Sequence, residues 1–208
     1  MAKYRKHIEN NKIVHVIKRA SNLKNYRFVY KINFIKSKGN KDELIVICMN
    51  PSEADDKISD PTVNMLIEHA YQSGYKGMIL FNVFPLYEPN SSKLPQADDY
   101  NNNTEYQTMM EKNQNFISCV LEKYNTNDIL LAFGRPVRKY MKTAMEKIID
   151  FAEESITKNT NKIVWKITGF NYYHHPKALP SKSRSRDKKQ FILDPLNRPM
   201  LLNSKSSL

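Results

Sequence analysis

Glycine is scarce in this 208-residue chain, which contains only 5. Loops that cradle phosphates with backbone N–H groups need several glycines close together, and the segment Gly134-Arg135-Pro136 supplies only one. The sequence therefore excludes a P-loop and a dinucleotide-binding Rossmann loop. Gly134 itself joins an apolar run to a helix-like segment, and we expect it to allow the close approach of backbone or ligand.

Cysteines are few, and long apolar runs are lacking. Cys48 and Cys119 cannot hold an iron–sulfur cluster, and no metal-ligand spacing accompanies them, so neither a metal nor a cofactor is expected. Both lie in apolar surroundings, which predicts buried free thiols in a cytoplasmic protein. No run approaches the roughly 20 apolar residues that cross a bilayer, and no apolar segment follows the charged N-terminus, so we expect neither a membrane partner nor a signal peptide.

Acidic residues are outnumbered. The chain has 33 Lys and Arg against 21 Asp and Glu, a net charge of +12 and a pI of about 9.5. Such an excess favours partners rich in phosphate, because binding releases their counterions. The alternative is a general bias towards lysine, which the abundant Asn, Lys and Ile also fit. The length fits one domain over residues 1–208.

Hydrophobic periodicity predicts an α/β fold. A β-rich part at 1–43 contains strand-like runs at 12–20 and 26–34, and the residues 36–43 resemble a hairpin turn before the next strand, which ends at Asn50. Further strands are expected at 77–84, 128–133 and 162–169, with helices at 61–73, 104–124 and 136–156 and a frayed tail at 200–208. Asp60 is expected to cap the first helix, and Gly74 to end it. We predict a three-layer α/β/α sandwich around a mostly parallel sheet.

Polar residues follow the apolar runs, where open α/β folds place their sites. Asn50-Pro51-Ser52 ends the third strand; its side chains either form a simple turn or hold a water or a substrate group. Asn82 interrupts the apolar run MILFNVF. Its amide offers a donor and an acceptor, as reading a base edge requires, while bonds to neighbouring backbone are the alternative.

A late histidine pair and a basic segment complete the candidate site. His174 and His175 precede Pro176, and one of the two imidazoles is placed to donate a hydrogen bond to developing negative charge. We expect at least one of the two to be structural, because adjacent side chains point in different directions, and the sequence leaves open which one. Basic residues that follow are expected to contact phosphates, a solvated basic surface being the alternative: Lys177, Lys182, Arg184, Arg186, Lys188 and Lys189.

These motifs resemble a bacterial domain family of unknown function, over roughly residues 26–190. The resemblance rests on the ordered series Asn50-Pro51-Ser52-x-Ala54-Asp55, Asp60-Pro61-Thr62, Gly74-Tyr75, Asn82-x-Phe84, Gly134 and His175-Pro176. Phe133 stands where that family usually has Trp, and Lys177 follows the His-Pro pair.

The layout is in turn similar to the uracil-DNA glycosylase superfamily. That resemblance implies that Asn50 orients the attacking water, Asn82 reads the base edge and His175 bonds the base carbonyl as it leaves. Pro51, Ser52, Phe84 and Gly134 would then line the base pocket. The superfamily's stacking aromatic has no counterpart directly after Asn50, and Phe84 or Tyr87 is expected to replace it.

Three functions fit these observations. The first is a DNA-base glycosylase of uracil type, with DNA as its partner and a protein inhibitor or repair partner as a further possibility. The second is a non-catalytic module of the same fold that binds DNA or repair and recombination proteins. The third is a hydrolase of free nucleosides or nucleotides. The positive charge favours a polymeric substrate over a small one.

We predict that replacing Lys182, Arg184 and Arg186 by Gln weakens DNA binding on every sequence. Each lost phosphate contact is expected to reduce the slope of log affinity against log salt by about 0.7–0.9. A salt titration of the triple variant and of the wild type measures this slope. An unchanged slope would show that the segment is merely solvated.

Overall fold

The computed structural model of this chain describes residues 12–17, 26–167 and 193–195, with gaps at 35, 53, 55–57, 89, 91–92, 96–102, 125–126, 135, 137 and 159–162. The His174-His175-Pro176 motif, Lys177 and the basic residues at 182, 184, 186, 188 and 189 lie outside the described residues. Their predicted roles therefore stay predictions.

Strands and helices alternate as the periodicity predicts. The strands are β1 (Lys12–Ile17), β2 (Val29–Phe34), β3 (Leu44–Cys48), β4 (Gly77–Asn82), β5 (Ile129–Ala132), β6 (Val164–Ile167) and β7 (Leu193–Pro195). The helices are α1 (Pro61–Gln72), α2 (Thr104–Lys123) and α3 (Lys139–Lys158). The prediction of an α/β fold is confirmed.

The described strands form one mixed sheet in the order β1-β2-β4-β3-β5-β6-β7. The four central strands, β4, β3, β5 and β6, run parallel to one another. Strands β1 and β2 at one edge and β7 at the other are antiparallel. The parallel part is therefore the centre of the sheet, and its edges are antiparallel.

The predicted hairpin turn at 36–43 is wrong. Strand β2 pairs with β4, and β3 lies on the far side of β4, so the chain passes from β2 to β3 without joining adjacent strands. The chain bends within this segment, as its polar composition indicates. Composition, however, does not determine which strand becomes the neighbour, and the later strand β4 enters between the two.

Alternation along the strands divides the core into two layers. In β2 to β5, even-numbered side chains such as Val46 and Leu80 share a cluster with α1, to which the helix contributes Val63, Leu66, Ile67 and Ala70. Odd-numbered side chains such as Ile47 and Phe81 share a second cluster with α2 and α3. Helices thus cover both faces of the central strands.

The two cysteines differ in their surroundings. Cys48 is buried at the end of β3, as predicted, but Cys119 is exposed on α2, so the prediction of two buried thiols is wrong for Cys119. The neighbours of Cys119 in sequence are apolar, yet the helical turn directs it away from the sheet. In the part of the chain that the structure describes, no helix is both long and apolar enough to span a membrane.

Helix α1 begins and ends as its sequence predicts. The Asp60 carboxylate accepts hydrogen bonds from the backbone N–H groups of Thr62 at 2.6 Å and Val63 at 3.0 Å, which satisfies two donors of the first turn. Gly74 follows the C-terminus with a φ of 82°, a left-handed conformation that glycine adopts without strain. His69 lies near that end and is 2% exposed.

We predict that His69 makes the fold less stable in acid. Burial, together with the charge of Lys41, lowers its pKa from 6.5 to about 4, so the folded protein holds the imidazole neutral. Between these two pH values the unfolded chain binds a proton that the folded chain does not. The free energy of unfolding should therefore fall as the pH drops through this window, by roughly 3 kcal/mol in total.

Urea unfolding of the wild type and of His69→Gln at several pH values between 4 and 7 measures this effect. The variant loses the titrating group, so its stability should depend less steeply on pH over the same window. Identical pH slopes for the two proteins would contradict the assignment.

Candidate functional site

The carboxyl ends of the central parallel strands bring three predicted site residues to one edge of the sheet. In the strand register Cys48 of β3 lies between Asn82 of β4 and Ala132 of β5. Asn50 follows β3 and Gly134 follows β5, so both leave the sheet at the same edge as Asn82. From β3 the chain continues to β4 on one side, and it later adds β5 on the other. Such a reversal of strand order is where open α/β sheets place their crevices.

Asn82 is fully buried at this edge, and its amide is not satisfied by the described residues. Neither Oδ1 nor Nδ2 has a hydrogen-bond partner among them. Alternation along β4 places its side chain on the α1 face, beside Cys48. A buried amide without partners costs about 1–3 kcal/mol, so this residue is expensive for stability alone.

Asn50 connects the two loops that leave the sheet. It is half-buried, and its Nδ2 donates a hydrogen bond to the backbone carbonyl of Glu88 in the loop after β4. Pro51 is buried beside it. Ser52 is half-buried, and its hydroxyl is shielded from solvent with no partner among the described residues. The loop after β3 therefore presents an amide and a hydroxyl close to the strand ends.

The two candidate stacking aromatics occupy different surroundings. Phe84 is 1% exposed, and its ring packs edge-on against Tyr140 of α3 at a centroid distance of 5.8 Å. It belongs to the core cluster on the α2 and α3 face. Tyr87 is half-buried, and the Arg27 guanidinium lies 5.7 Å from the centre of its ring. Of the two rings, Tyr87 is the more accessible.

Gly134 is buried directly after β5 with a φ of 81°. Such a left-handed conformation destabilises a residue with a Cβ by about 1–2 kcal/mol, which explains why glycine stands here. The backbone turn from β5 towards α3 is thus the physical requirement at this position.

Arg27 is a site residue that sequence reasoning missed. It is 3% exposed, and its Nη1 donates to the carbonyl of Ala54 at 2.7 Å and to that of Ser52 at 3.2 Å. Its backbone N–H donates to the carbonyl of Pro85 at 2.8 Å. Arg27 therefore holds the loop after β3 and the loop after β4 together. The sequence did contain a signal for this role. Arg27 is a cation at the start of the strand-like run YRFVYKINF, and a charge that is buried in such a run needs partners.

Burial and nearby charges at the carboxyl edge of the sheet keep the Cys48 thiol protonated. Burial, and then the negative charge of Asp60, raise the pKa of Cys48 to about 12, while Arg27 acts in the opposite direction. The thiol is therefore protonated at neutral pH, which makes it a poor nucleophile. One oxygen of Asp60 caps α1, and its Oδ2 is buried without a partner among the described residues.

Four polar residues lie at the carboxyl edge of the sheet, where α1 begins: Arg27, Ser52, Asp60 and Asn82. Their side chains include hydrogen-bond donors and acceptors. Within the described ranges, no group of three or more His, Cys, Asp or Glu side chains is arranged to hold a metal ion. The chemistry available there is hydrogen bonding and charge stabilisation.

We predict that Arg27→Met lowers the free energy of unfolding by at least about 1–3 kcal/mol, because the carbonyls of Ser52 and Ala54 lose their donor. Arg27→Lys should cost less, since an ammonium keeps one point donor. Urea unfolding measures both variants. Lys76→Met is the control, because its partner Asp42 lies 3.5 Å away in an exposed pair that should contribute at most about 1 kcal/mol. Equal losses for Arg27→Met and Lys76→Met would contradict the assignment.

Comparison with known proteins identifies a family whose function is unknown. The model of a family described as "Protein of unknown function (DUF1643)" matches residues 27–177, which extend from Arg27 past the His-Pro motif. No curated protein and no solved structure matches the chain. The predicted resemblance to a domain family of unknown function is confirmed. The chain belongs to the DUF1643 family.

Proposed function

We propose that this protein is a DNA-base glycosylase that hydrolyses the N-glycosidic bond of a flipped base at the carboxyl ends of β3 and β4. The observation that carries the proposal is the Asn82 amide, which is fully buried and has no described partner for Oδ1 or Nδ2. A pyrimidine edge presents an adjacent donor and acceptor, which match this amide. Binding a base would give the Asn82 amide hydrogen-bond partners. The cost of removing that amide from water is already incurred when the protein folds.

The proposal includes a more specific fold. Helices on both faces of the sheet and a parallel centre are consistent with a three-layer sandwich of the uracil-DNA glycosylase type. The likeness to that superfamily depends on the motif order Asn50-Pro51, Asn82, Gly134 and His175-Pro176.

The proposed reaction begins when the base leaves the stack and enters the site. The bonding pair of the N-glycosidic bond departs with the base, leaving an oxocarbenium-like sugar, and water then adds to the sugar carbon and loses a proton. Asn50 would position that water. Its Nδ2 is held by the Glu88 carbonyl, so the amide plane is fixed before substrate arrives.

His175 would stabilise the departing base. A hydrogen bond from its imidazole to the base oxygen strengthens as negative charge develops, which lowers the barrier rather than merely tightening binding. The base anion then takes up a proton. The His175-Pro176 sequence would favour an extended backbone at His175, which would limit the positions that the imidazole can take.

DNA binding would depend on the basic residues. The net charge of +12 favours a polyanion, and the residues Lys177, Lys182, Arg184, Arg186 and Lys188 would contact the phosphates that flank the flipped base. These contacts would be independent of sequence, leaving discrimination between bases to Asn82.

A non-catalytic DNA-binding module of the same fold is the second candidate. The observation in its favour is that Phe84 is buried against Tyr140, which leaves Tyr87 as the remaining candidate for stacking a base. A glycosylase without a stacking ring would hold its base poorly. The two candidates differ in whether a base is released.

We predict that wild-type protein releases uracil from a uracil-containing oligonucleotide and that Asn50→Ala, Asn82→Ala and His175→Ala each lower the rate by about 10²-fold or more. Alkali cleaves the abasic product, and the labelled fragments measure the rate. DNA affinity should barely change in the Asn50 and His175 variants, since phosphate contacts lie elsewhere. Their double variant should lose less than the sum of the two free-energy losses.

Two variants serve as controls. His174→Ala should keep the wild-type rate if His175 alone faces the site. Asn127→Ala removes another buried Asn, at the amino end of the sheet, and should reduce stability without changing excision. The absence of excision on every uracil and mismatch substrate would transfer support to the binding module. Wild-type rates in both Asn50→Ala and His175→Ala would also contradict the mechanism.

A further inference from the structure

Asn113 is a fully buried polar residue in the middle of α2, on the helix face that packs against the sheet. Its neighbours on that face, Met110 and Ile117, belong to the apolar core. Its Nδ2 donates to the backbone carbonyl of Asn82 at 2.9 Å and to that of Val83 at 3.2 Å. Its Oδ1 is buried with no partner among the described residues. The residue therefore acts through its donors, at the cost of an unsatisfied oxygen.

The end of β4 explains why two donors are needed there. The pairing of β4 with β2 reaches Phe81 and stops before Asn82. The N–H groups of Val83 and Phe84 bond the end of β3 and the residue after it, donating to the carbonyls of Cys48 at 2.8 Å and of Met49 at 2.9 Å. The carbonyls of Asn82 and Val83 are taken by Asn113 instead. This short stretch of backbone is thus fixed by β3 through its N–H groups and by α2 through its carbonyls.

We infer that Asn113 is a positioning residue for the base-reading amide of Asn82, an inference that rests on the proposed function. The Asn82 side chain lies on the α1 face, whereas α2 packs on the opposite face of the sheet. Asn113 therefore does not touch the base. It holds the peptide from which the Asn82 side chain projects, so its loss displaces the amide without removing it. A displacement of about 1 Å at a reacting group can cost about 10²-fold in rate.

Base selectivity separates this role from a purely structural one. We define selectivity as the ratio of excision rates on a uracil-containing oligonucleotide and on one with cytosine at the same position. Asn113→Leu keeps the side-chain size and removes both donors. Asn127→Leu is the matched control, because Asn127 is also buried and donates to a backbone carbonyl, that of Glu43, at 2.6 Å, but at the amino end of β3.

We expect Asn113→Leu to lower selectivity by about tenfold to 10²-fold and Asn127→Leu to leave it unchanged, although both should reduce thermal stability. In an Asn82→Ala background Asn113→Leu should cause no further loss, since two residues that act through one group are not additive. If circular dichroism shows that Asn113→Leu does not fold, Asn113→Ala, which also removes both donors and cannot overpack the core, takes its place in the same comparison.

Three results would overturn the inference. Selectivity could be unchanged in Asn113→Leu, it could fall equally in Asn127→Leu, or it could fall again in the Asn82→Ala background. A wild type with clear base selectivity and an unaffected Asn113→Leu variant would defeat this inference alone. A wild type that releases neither base would defeat the proposed function and this inference together.

Discussion

The pairing of β3 between two parallel neighbours is the constraint on which the rest of the structure depends. Every residue of Leu44–Cys48 is buried, so this strand is stable only when helices cover both faces of the sheet. Parallel pairing also sends the ends of β3, β4 and β5 to one edge. Asn50, Asn82 and Gly134 meet there because their strands are neighbours in register, although they lie far apart in the chain.

The sequence predicts the elements better than their arrangement. The helices begin and end within a few residues of the predicted bounds, because caps such as Asp60 and glycines such as Gly74 act locally. Strand order depends on long-range pairing, which periodicity does not encode, and the supposed hairpin at 36–43 failed for that reason. The placement of Asn50, Asn82 and Gly134 at strand ends was predictable, because a polar residue or a glycine at the end of an apolar run is conspicuous. Arg27 and Asn113 were not, since their partners are backbone carbonyls distant in sequence.

Buried polar groups give this edge its character. Arg27 and Asn113 donate hydrogen bonds to backbone carbonyls from opposite faces of the sheet. The bonds of Arg27 hold the two loops, and those of Asn113 hold the end of β4. Asn82, Ser52 and Asp60 each keep at least one buried polar atom that no described residue satisfies. A domain selected for stability alone would replace such groups with apolar ones. A preorganised recognition site requires a rigid backbone together with polar side-chain atoms that no described residue bonds.

The protonated thiol of Cys48 has a consequence for how the protein tolerates oxidants. Peroxide and disulfide exchange attack thiolates, and a buried thiol with a pKa of about 12 forms almost none at neutral pH. The residue beside Asn82 should therefore survive oxidative stress, while alkylating reagents and oxidants encounter Cys119 on the surface first.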